Sequence, residues 1–393
     1  MADDAHPGWA LYDLGRLRAN LAEIRRRIGP GQGCIVALKG NAYGHGAVPV
    51  ARALDADGLA AFMTGSFDEA CRLKSERLRT PVVMFAGALP AGMADLVDAG
   101  LVPTVVDRAG AEAAARAAPS GAAAPVYVKV NAGLGRLGVP LEAAEAFLAA
   151  LAGLPNLEVR GLYTHLPFGD AHGRDWAARR LAAFDALLER LQDRGLSPPL
   201  TQARASACVA AGLSDRASAV CVGHLLYGLS PFADDSLADL SAYRPVLAEV
   251  GSRLIQVAAH PQGSDIAIGG SYGIRHSRRT GVAPIGVAQG LVRPVPGSRP
   301  EALIRGRRAP ILAVSLEHMV LDLADAPDAE PGDEVLLLGG EGDGAIGLAE
   351  LAAWFGMTPL DAVMTLSGRL PARYRDTRGG AAERTPLPGE TRR

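Results

Sequence analysis

The first part of the chain alternates short apolar segments with segments whose apolar residues recur at helical spacing, at a period of roughly 25 residues. The apolar segments show little inside-outside alternation, which is typical of strands covered on both faces in a parallel sheet. We therefore predict an α/β fold, an eight-stranded (β/α)8 barrel of the TIM type. Its strands are predicted near residues 34–38, 60–63, 81–85, 103–106, 125–131, 159–165, 201–206 and 219–224.

A strand near residues 9–12 and a helix over 14–28 precede the barrel, and a different pattern follows it. From Tyr243 the residues alternate and Gly and Pro are frequent, until two short helices near 349–355 and 359–366, which predicts a compact β domain. The last residues are polar and contain Gly, Pro and Arg, a composition typical of disorder. The predicted domains are the barrel with its N-terminal strand, the β domain and a disordered tail, at residues 1–242, 243–375 and 376–393.

Composition excludes several classes of function. The 393 residues are 49% hydrophobic, enough for a sizeable core, and no run of Lys or Arg is interleaved with aromatic residues, which argues against binding to nucleic acid. The polar start lacks the pattern of a signal peptide, and no apolar stretch reaches membrane-spanning length. The four cysteines have no CxxC spacing, so neither a metal site nor a disulfide framework is predicted. We expect a cytoplasmic protein whose partners are small molecules.

The strand at residues 34–38 leads directly into Lys39 and a glycine-rich loop that runs to Gly46. A lone lysine at a strand end usually extends to solvent. At the mouth of a sheet covered on both faces, however, an ammonium is partly desolvated, so its pKa should fall and its amine can attack a carbonyl. The glycines let the backbone approach a ligand closely, and Tyr43 offers a hydroxyl. This combination suits a lysine that forms a Schiff base with a phosphate-bearing aldehyde cofactor.

Polar residues and glycines also stand at or just after other predicted strand ends, where the chemistry of an α/β barrel gathers. Each of them alone would be unremarkable, but a barrel brings all of them to one face. These residues are Lys129, Arg136, His165, Ser206, Gly223 and His224.

The string ALKGNAYGHG, at residues 37–46, resembles the pyridoxal-phosphate lysine motif of the alanine racemase family, whose members have the type III fold of such enzymes. Similarity extends over about residues 9–375. The resemblance implies that pyridoxal 5′-phosphate binds at Lys39 and that the protein acts on an amino acid as a head-to-tail homodimer with shared active sites. It also implies that the residues holding the phosphate are Tyr43, Ser206, Gly223 and His224.

Three further residues inherit roles from this resemblance. Arg136, in the string NAGLGRLG, corresponds to the arginine that holds the substrate carboxylate. Lys129 corresponds to a lysine that many members carry as a carbamate; a buried lysine paired with a carboxylate is the alternative. Tyr272, in the string SYG, corresponds to a tyrosine that the partner chain contributes. A racemase takes a proton from one face of the α-carbon and returns one to the other, so it needs two acid-base groups, here Lys39 and Tyr272.

The chain departs from the family pattern at residues that would contact the cofactor. Cys221 stands where the family has an arginine against the pyridine nitrogen, and a thiol is a weak hydrogen-bond partner. His165 corresponds to a histidine near that arginine and has thereby lost its usual partner. Ser206 lacks the asparagine that precedes it in the family.

Further departures lie in the β domain. Val287 and Gly368 replace tyrosines that narrow the family's entrance, and Leu316 replaces an aspartate near the substrate carboxylate, which predicts a wider pocket. We therefore predict a racemase-like amino-acid isomerase that acts on a substrate other than, or larger than, alanine. The alternatives are a pyridoxal-phosphate-dependent lyase, decarboxylase or transaminase of secondary metabolism, and a homologue that binds the cofactor without catalysis.

Overall fold

The computed structural model describes residues 8–233, 235–268, 271–272, 276, 278–376 and 380–385. The chain divides into two compact units. One unit comprises residues 16–244, and the other comprises residues 245–393 together with the first 15.

Eight parallel strands form a closed barrel in the first unit, which confirms the predicted fold class. The ring closes because the last strand pairs with the first, with Cys221 opposite Ile35, and because Thr104 pairs with Tyr127 across the fourth and fifth barrel strands. The first strand of the chain, β1 (Trp9–Asp13), is part of the other unit. The strands of this unit are β2 (Gly33–Ala37), β3 (Ala61–Thr64), β4 (Val82–Gly87), β5 (Val102–Val105), β6 (Ala124–Asn131), the two-residue β7 (Val139–Pro140) that pairs with β6, β8 (Leu157–Tyr163), β9 (Leu200–Gln202) and β10 (Ala219–Val222).

Helices connect the barrel strands and bury their apolar faces. In α1 (Leu14–Ile28), the buried Leu17, Leu21 and Ile24 recur at helical spacing, and burial of each contributes about 1.5–3 kcal/mol. Aspartates begin two later helices: Asp107 and Asp170 each accept a hydrogen bond of 2.7 Å from the amide three residues on. The later helices are α2 (Ala47–Leu54), α3 (Phe67–Ser75), α4 (Met93–Asp98), α5 (Arg108–Arg116), α6 (Ala144–Ala152), α7 (Ala171–Asp193) and α8 (Ser206–Ala210).

A ten-stranded sheet dominates the second unit, in agreement with the predicted β domain. Two helices, α9 (Leu348–Trp354) and α10 (Pro359–Leu366), come late in its sequence, as predicted. Its strands after β1 are β11 (Leu247–Arg253), β12 (Gln256–His260), the separate hairpin of β13 (Ala267–Ile268) and β14 (Ser271–Tyr272), β15 (Arg278–Ala283), β16 (Glu301–Ile304), β17 (Arg307–Val314), β18 (Met319–Asp322), β19 (Glu334–Leu338), β20 (Ala372–Asp376) and β21 (Gly380–Thr385).

The two ends of the chain differ from the sequence-based domain description. β1, which that description placed with the barrel, pairs with β11 on one side and β20 on the other, and all five of its residues are buried. A strand hydrogen-bonded along both edges belongs to that sheet, whatever its place in the chain. β21 lies within the segment predicted to be disordered and pairs with β20. Among the described helices, none combines the length and hydrophobicity needed to cross a membrane.

Candidate active site

A cavity of about 370 Å³ opens at the carboxyl ends of the barrel strands. Its volume is in the range of small-molecule sites, and its surface is mostly apolar with a few convergent polar groups. Nine of the predicted site residues line it, namely Lys39, Tyr43, Lys129, Arg136, His165, Ser206, Cys221, Gly223 and His224.

The loop after β2 places Lys39 and Tyr43 in this cavity through an unusual backbone. Gly40, Asn41, Ala42 and Tyr43 all have left-handed conformations, with φ of 63°, 55°, 57° and 53°. Residues other than glycine adopt this conformation at a cost of roughly 1–2 kcal/mol each. The loop turns back on itself as a result, and the Lys39 Nζ lies 5.6 Å from the centroid of the Tyr43 ring.

A buried carboxylate offsets part of this cost. Glu69 accepts hydrogen bonds of 2.5 Å from the Asn41 amide and from the Thr64 hydroxyl, and Asn41 Oδ1 accepts one of 2.9 Å from the Ala47 amide. Charge-assisted hydrogen bonds of this kind are stronger than neutral ones. Sequence reasoning missed Glu69, although Ser66 with Glu69 three residues later at the start of α3 is the pattern of a capping box.

Tyr43 meets the loop after β10 on the other side of the cavity. A Cβ built on Gly223 would overlap the Tyr43 hydroxyl, so this close approach requires glycine. The Tyr43 ring packs against Tyr227, with 5.0 Å between centroids, and against the edge of His224, with 5.3 Å. Ser206 Oγ accepts hydrogen bonds of 3.1 and 3.4 Å from the amides of Gly223 and Leu225. The residues predicted to hold a phosphate are therefore brought together.

The loop after β6 positions Arg136 at the mouth of the cavity, where its side chain is exposed. Asn131 Oδ1 accepts hydrogen bonds of 3.2 and 3.1 Å from the amides of Gly133 and Gly135, which ties the loop to the strand end. Gly138 has a φ of +135°, and a Cβ there would lie 2.7 Å from the Asn131 amide nitrogen. The loop can therefore double back to β7 only with glycine at this position.

Lys129 lies at the floor of the cavity and is buried. Its Nζ is 5.5 Å from the centroid of the Tyr163 ring. Burial, together with the charges of Arg136 and Lys39, lowers the pKa of its ammonium to about 8. Among the described residues, no carboxylate lies within ion-pair distance of Lys129. Both forms named for Lys129, the carbamate and the lysine paired with a carboxylate, stay predictions.

The described lining of the cavity carries positive charge without a compensating carboxylate. It contains no Asp or Glu. Protein atoms surround most of the Lys39 amine although solvent reaches it through the open mouth, and burial with the Arg136 charge lowers its pKa. Burial, more than the neighbouring cations, lowers the pKa of His165 to about 3 and that of His224 to about 4. Both imidazoles are therefore neutral at pH 7, and the site favours an anionic ligand.

Cys221 lines the cavity near Lys39 as a neutral thiol, because burial raises its pKa to about 12. Its amide donates a hydrogen bond of 3.0 Å to the carbonyl of Arg204. A neutral thiol neither supplies nor accepts a full charge at this point of the wall.

Sequence reasoning also missed part of the cavity wall. Tyr163 lines it with a hydroxyl that lies 3.1 Å from both the Phe85 carbonyl and Thr104 Oγ1, and Phe85 and Phe168 supply apolar surface. Tyr163 could have been found, because it precedes His165 by two residues and side chains alternate along a strand. Phe85 and Phe168 offered no such signal.

Four residues named in the sequence analysis lie in the second unit, namely Tyr272, Val287, Leu316 and Gly368. The backbone of Tyr272 lies in β14, but its side chain is outside the part of the chain that the structure describes, so its role stays a prediction. Val287 begins a short 3₁₀ turn, Leu316 is 67% exposed, and Gly368 has a φ of +70° that a tyrosine would rarely adopt. The last value gives a physical reason for glycine at that position.

These observations fit a pyridoxal phosphate group. The amine with a lowered pKa suits an aldehyde, the excess of cations suits a phosphate, and the neutral, mostly apolar wall suits an aromatic ring. The amide of His224 donates to no described atom, so this hydrogen-bond donor is available to a ligand.

Comparison with known proteins agrees with this interpretation. The family model described as alanine racemase, N-terminal domain, matches residues 12–231, and the one described as alanine racemase, C-terminal domain, matches residues 247–374. An alanine racemase of Desulfovibrio desulfuricans is 30% identical over 94% of this chain and 98% of its own. One of Sorangium cellulosum is 33% identical over 94% and 99%. The crystal structure of alanine racemase from E. faecalis superposes with a TM-score of 0.85 at 25% identity, over 94% and 99% of the two chains.

Proposed function

The chain belongs to the alanine racemase family, whose members are pyridoxal-phosphate-dependent isomerases, and we propose that it is an amino-acid racemase with Lys39 as its cofactor lysine. One observation carries the proposal. A single cavity brings together an amine of lowered pKa, an exposed guanidinium and the residues predicted to bind a phosphate, with no carboxylate in its described lining.

In this proposal Lys39 holds the aldehyde of the cofactor, while the phosphate is held by Tyr43, Ser206, Gly223 and His224. When bound, pyridoxal phosphate supplies an electron-withdrawing ring that stabilises negative charge at the α-carbon of an amino acid. Cys221 and His165, which are both neutral, would border the ring without offering it a charged partner.

Two residues would move the proton. The lowered pKa of Lys39 increases the fraction of neutral amine, so its Nζ can accept a proton from one face of the substrate. Tyr272 of the partner subunit would serve the opposite face, in a head-to-tail homodimer. Arg136 would bind the substrate carboxylate, because a guanidinium matches a carboxylate with two parallel hydrogen bonds.

Lys129, as a carbamate, would hold the Arg136 side chain in position through its negative charge. Its pKa of about 8 makes the neutral amine accessible near physiological pH, and only that form reacts with carbon dioxide. A carbamate would also place a negative charge between Lys39 and Arg136, where the described lining has none.

The substrate would be an amino acid other than, or larger than, alanine. Support comes from Val287 and Gly368, which stand where the family has tyrosines. A second candidate function is a pyridoxal-phosphate-dependent lyase, decarboxylase or transaminase. It is favoured by the neutral Cys221 thiol, because an arginine at that place would set the electronic state of the ring differently.

The experiment measures the exchange of the α-hydrogen of an amino acid for deuterium. The full-length protein with pyridoxal phosphate is incubated in deuterium oxide with a panel of amino acids, and each is analysed for deuterium, chirality and mass. Racemisation predicts deuterium at the α-carbon together with the antipode for at least one amino acid, and none with Lys39→Ala.

A product other than the antipode would favour the second candidate. No exchange and no new product from any amino acid, with the cofactor bound, would leave the non-catalytic alternative and overturn both enzymatic proposals.

A further inference from the structure

His224 lies between two amides that donate to the same oxygen. Gly223 and Leu225 both donate to Ser206 Oγ, at 3.1 and 3.4 Å, which turns this stretch of backbone toward the serine. The His224 amide donates to no atom of the described chain. The backbone at residue 224 therefore leaves a donor for a ligand at this place.

The His224 imidazole lines the same cavity. Its ring meets the Tyr43 ring edge-on, at an interplanar angle of 75° and 5.3 Å between centroids. Tyr43 is itself held between Tyr227 and the backbone of Gly223. The imidazole is thus held next to the other groups predicted to bind a phosphate.

The surroundings of His224 explain why its imidazole ring is neutral. The groups that act on it electrostatically are Lys39 and His165, and the aromatic ring against it is that of Tyr43. None of these carries a negative charge, and the described cavity lining contains no Asp or Glu. Burial, with Lys39 as the smaller contribution, holds the pKa of His224 at about 4, so the ring is neutral.

A bound phosphate dianion would reverse this balance. The two negative charges of the dianion would act on the ring at contact distance, where opposite charges strongly favour the charged form of a titratable group. Together they would outweigh the lowering of the pKa that burial causes, so the His224 ring would become an imidazolium when the phosphate group binds.

We propose that the His224 imidazole is a direct ligand of the bound phosphate group and takes up a proton from solvent as that group binds. The inference rests on the proposed function, because the cofactor would supply the phosphate. The only bond formed is the second N–H bond of the imidazolium, and its proton comes from solvent. The consequence is that cofactor binding depends on pH through a residue other than the cofactor lysine.

The first experiment uses inorganic phosphate as the probe and the full-length protein freed of cofactor. Calorimetric titrations at pH 8, in two buffers that differ in ionisation enthalpy, give the number of protons taken up per phosphate. Phosphate is already a dianion at this pH, so its own protonation adds little.

We expect His224→Gln to take up fewer protons than the wild-type protein, by a difference approaching one, and to bind phosphate about tenfold more weakly at pH 7. The matched control is His172→Gln, because His172 is exposed on α7 and does not line the cavity. It should behave as the wild-type protein does. Equal proton uptake and equal affinity in the wild-type protein and His224→Gln would overturn the inference.

A second measurement covers the case in which His224→Gln fails to fold. In wild-type protein with ¹³C-labelled histidine, adding phosphate at pH 7 should move one histidine resonance to the position of an imidazolium. His224→Asn assigns that resonance to His224. If no histidine resonance moves to the imidazolium position at saturating phosphate, the inference is wrong.

A third comparison separates the phosphate from the rest of the cofactor. His224→Gln should weaken the binding of pyridoxal phosphate and leave that of pyridoxal unchanged. An equal loss for both compounds would place the effect of His224 elsewhere and overturn the inference. If the wild-type protein binds neither compound, the proposed function fails, while the titration with inorganic phosphate still tests His224.

Discussion

The hydroxyl of Tyr43 fills the space that a side chain at position 223 would occupy. A Cβ built on Gly223 would overlap that hydroxyl and lie 2.6 Å from Tyr43 Cζ. Tyr43 belongs to the loop after the first barrel strand and Gly223 to the loop after the last, so this contact exists only because the barrel closes. It joins the lysine loop to the groups predicted to bind phosphate.

Gly223→Ala should therefore displace Tyr43. We expect a loss of about 1–3 kcal/mol in the free energy of unfolding, because the methyl group overpacks a buried contact. We also expect at least a tenfold weaker binding of pyridoxal phosphate, measured by fluorescence titration of cofactor-free protein.

The control is Gly153→Ala, because the nearest contact of a Cβ at Gly153 is the Ala150 carbonyl oxygen, at an ordinary 3.6 Å, and its φ is −87°. This variant should match the wild-type protein in both measurements. Normal cofactor affinity in Gly223→Ala would show that Tyr43 does not hold the phosphate through this contact.

Glu69→Gln should destabilise the left-handed turn. The carboxylate accepts hydrogen bonds from both the Asn41 amide and the Thr64 hydroxyl. Glutamine has only one acceptor oxygen, so its NH2 group would face one of these two donors. An unmatched buried hydrogen-bonding group costs about 1–3 kcal/mol. The check is urea unfolding, with the exposed Glu142→Gln as control. Equal stability of the two variants would mean that the turn needs no support from Glu69.

The burial of Lys129 predicts how stability changes with pH. Its pKa is about 8 in the folded protein against an ordinary value of 10.5, so between these values the unfolded chain binds more protons than the folded one. The free energy of unfolding should therefore rise as the pH rises through this window, by at most about 3 kcal/mol for this residue.

The measurement compares wild-type protein with Lys129→Met from pH 7.5 to 10.5 in buffers free of carbon dioxide and cofactor. The difference in unfolding free energy should shift in favour of the wild-type protein as the pH rises. Parallel curves would contradict the buried, unpaired ammonium.

Arg204, just after β9, forms a buried ion pair with Asp215. Arg204 and Asp215 lie 2.9 Å apart with side chains that are 7% and 0% exposed, and the Arg204 carbonyl accepts the Cys221 amide. Asp215→Asn should cost about 3–5 kcal/mol in urea unfolding, because it leaves a buried charge without its counterion. Arg204→Met combined with Asp215→Leu should cost less than Asp215→Asn alone.

The control for this prediction is an exposed pair. Glu158→Gln removes the partner of Arg160, where both side chains are about half exposed, and should cost no more than about 1 kcal/mol. A similar cost for Glu158→Gln and Asp215→Asn would show that burial does not decide the strength of the Arg204 pair.

The barrel and most of the cavity residues could be predicted because both depend on neighbouring residues. Lys39, His165 and Ser206 each stand at or just past the end of an apolar segment, and in a parallel barrel those ends share one face. The strings around Lys39 and Arg136 carry the family resemblance within a few residues. Glu69 has a local capping pattern and Phe85 ends a predicted strand, but the part that these two residues and Phe168 play in the site depends on contacts with distant segments, which the sequence does not show.

The sequence by itself determined where each barrel strand ends and which side chain stands there, since hydrophobic period and loop composition are local properties. Only the tertiary structure decided that Tyr43 lies against Gly223, that β1 joins the sheet of the second unit, and that His165 and His224 are neutral. The physical reason is that strand pairing, van der Waals overlap and desolvation arise between residues far apart in the chain. They come into being only when the chain folds and excludes water.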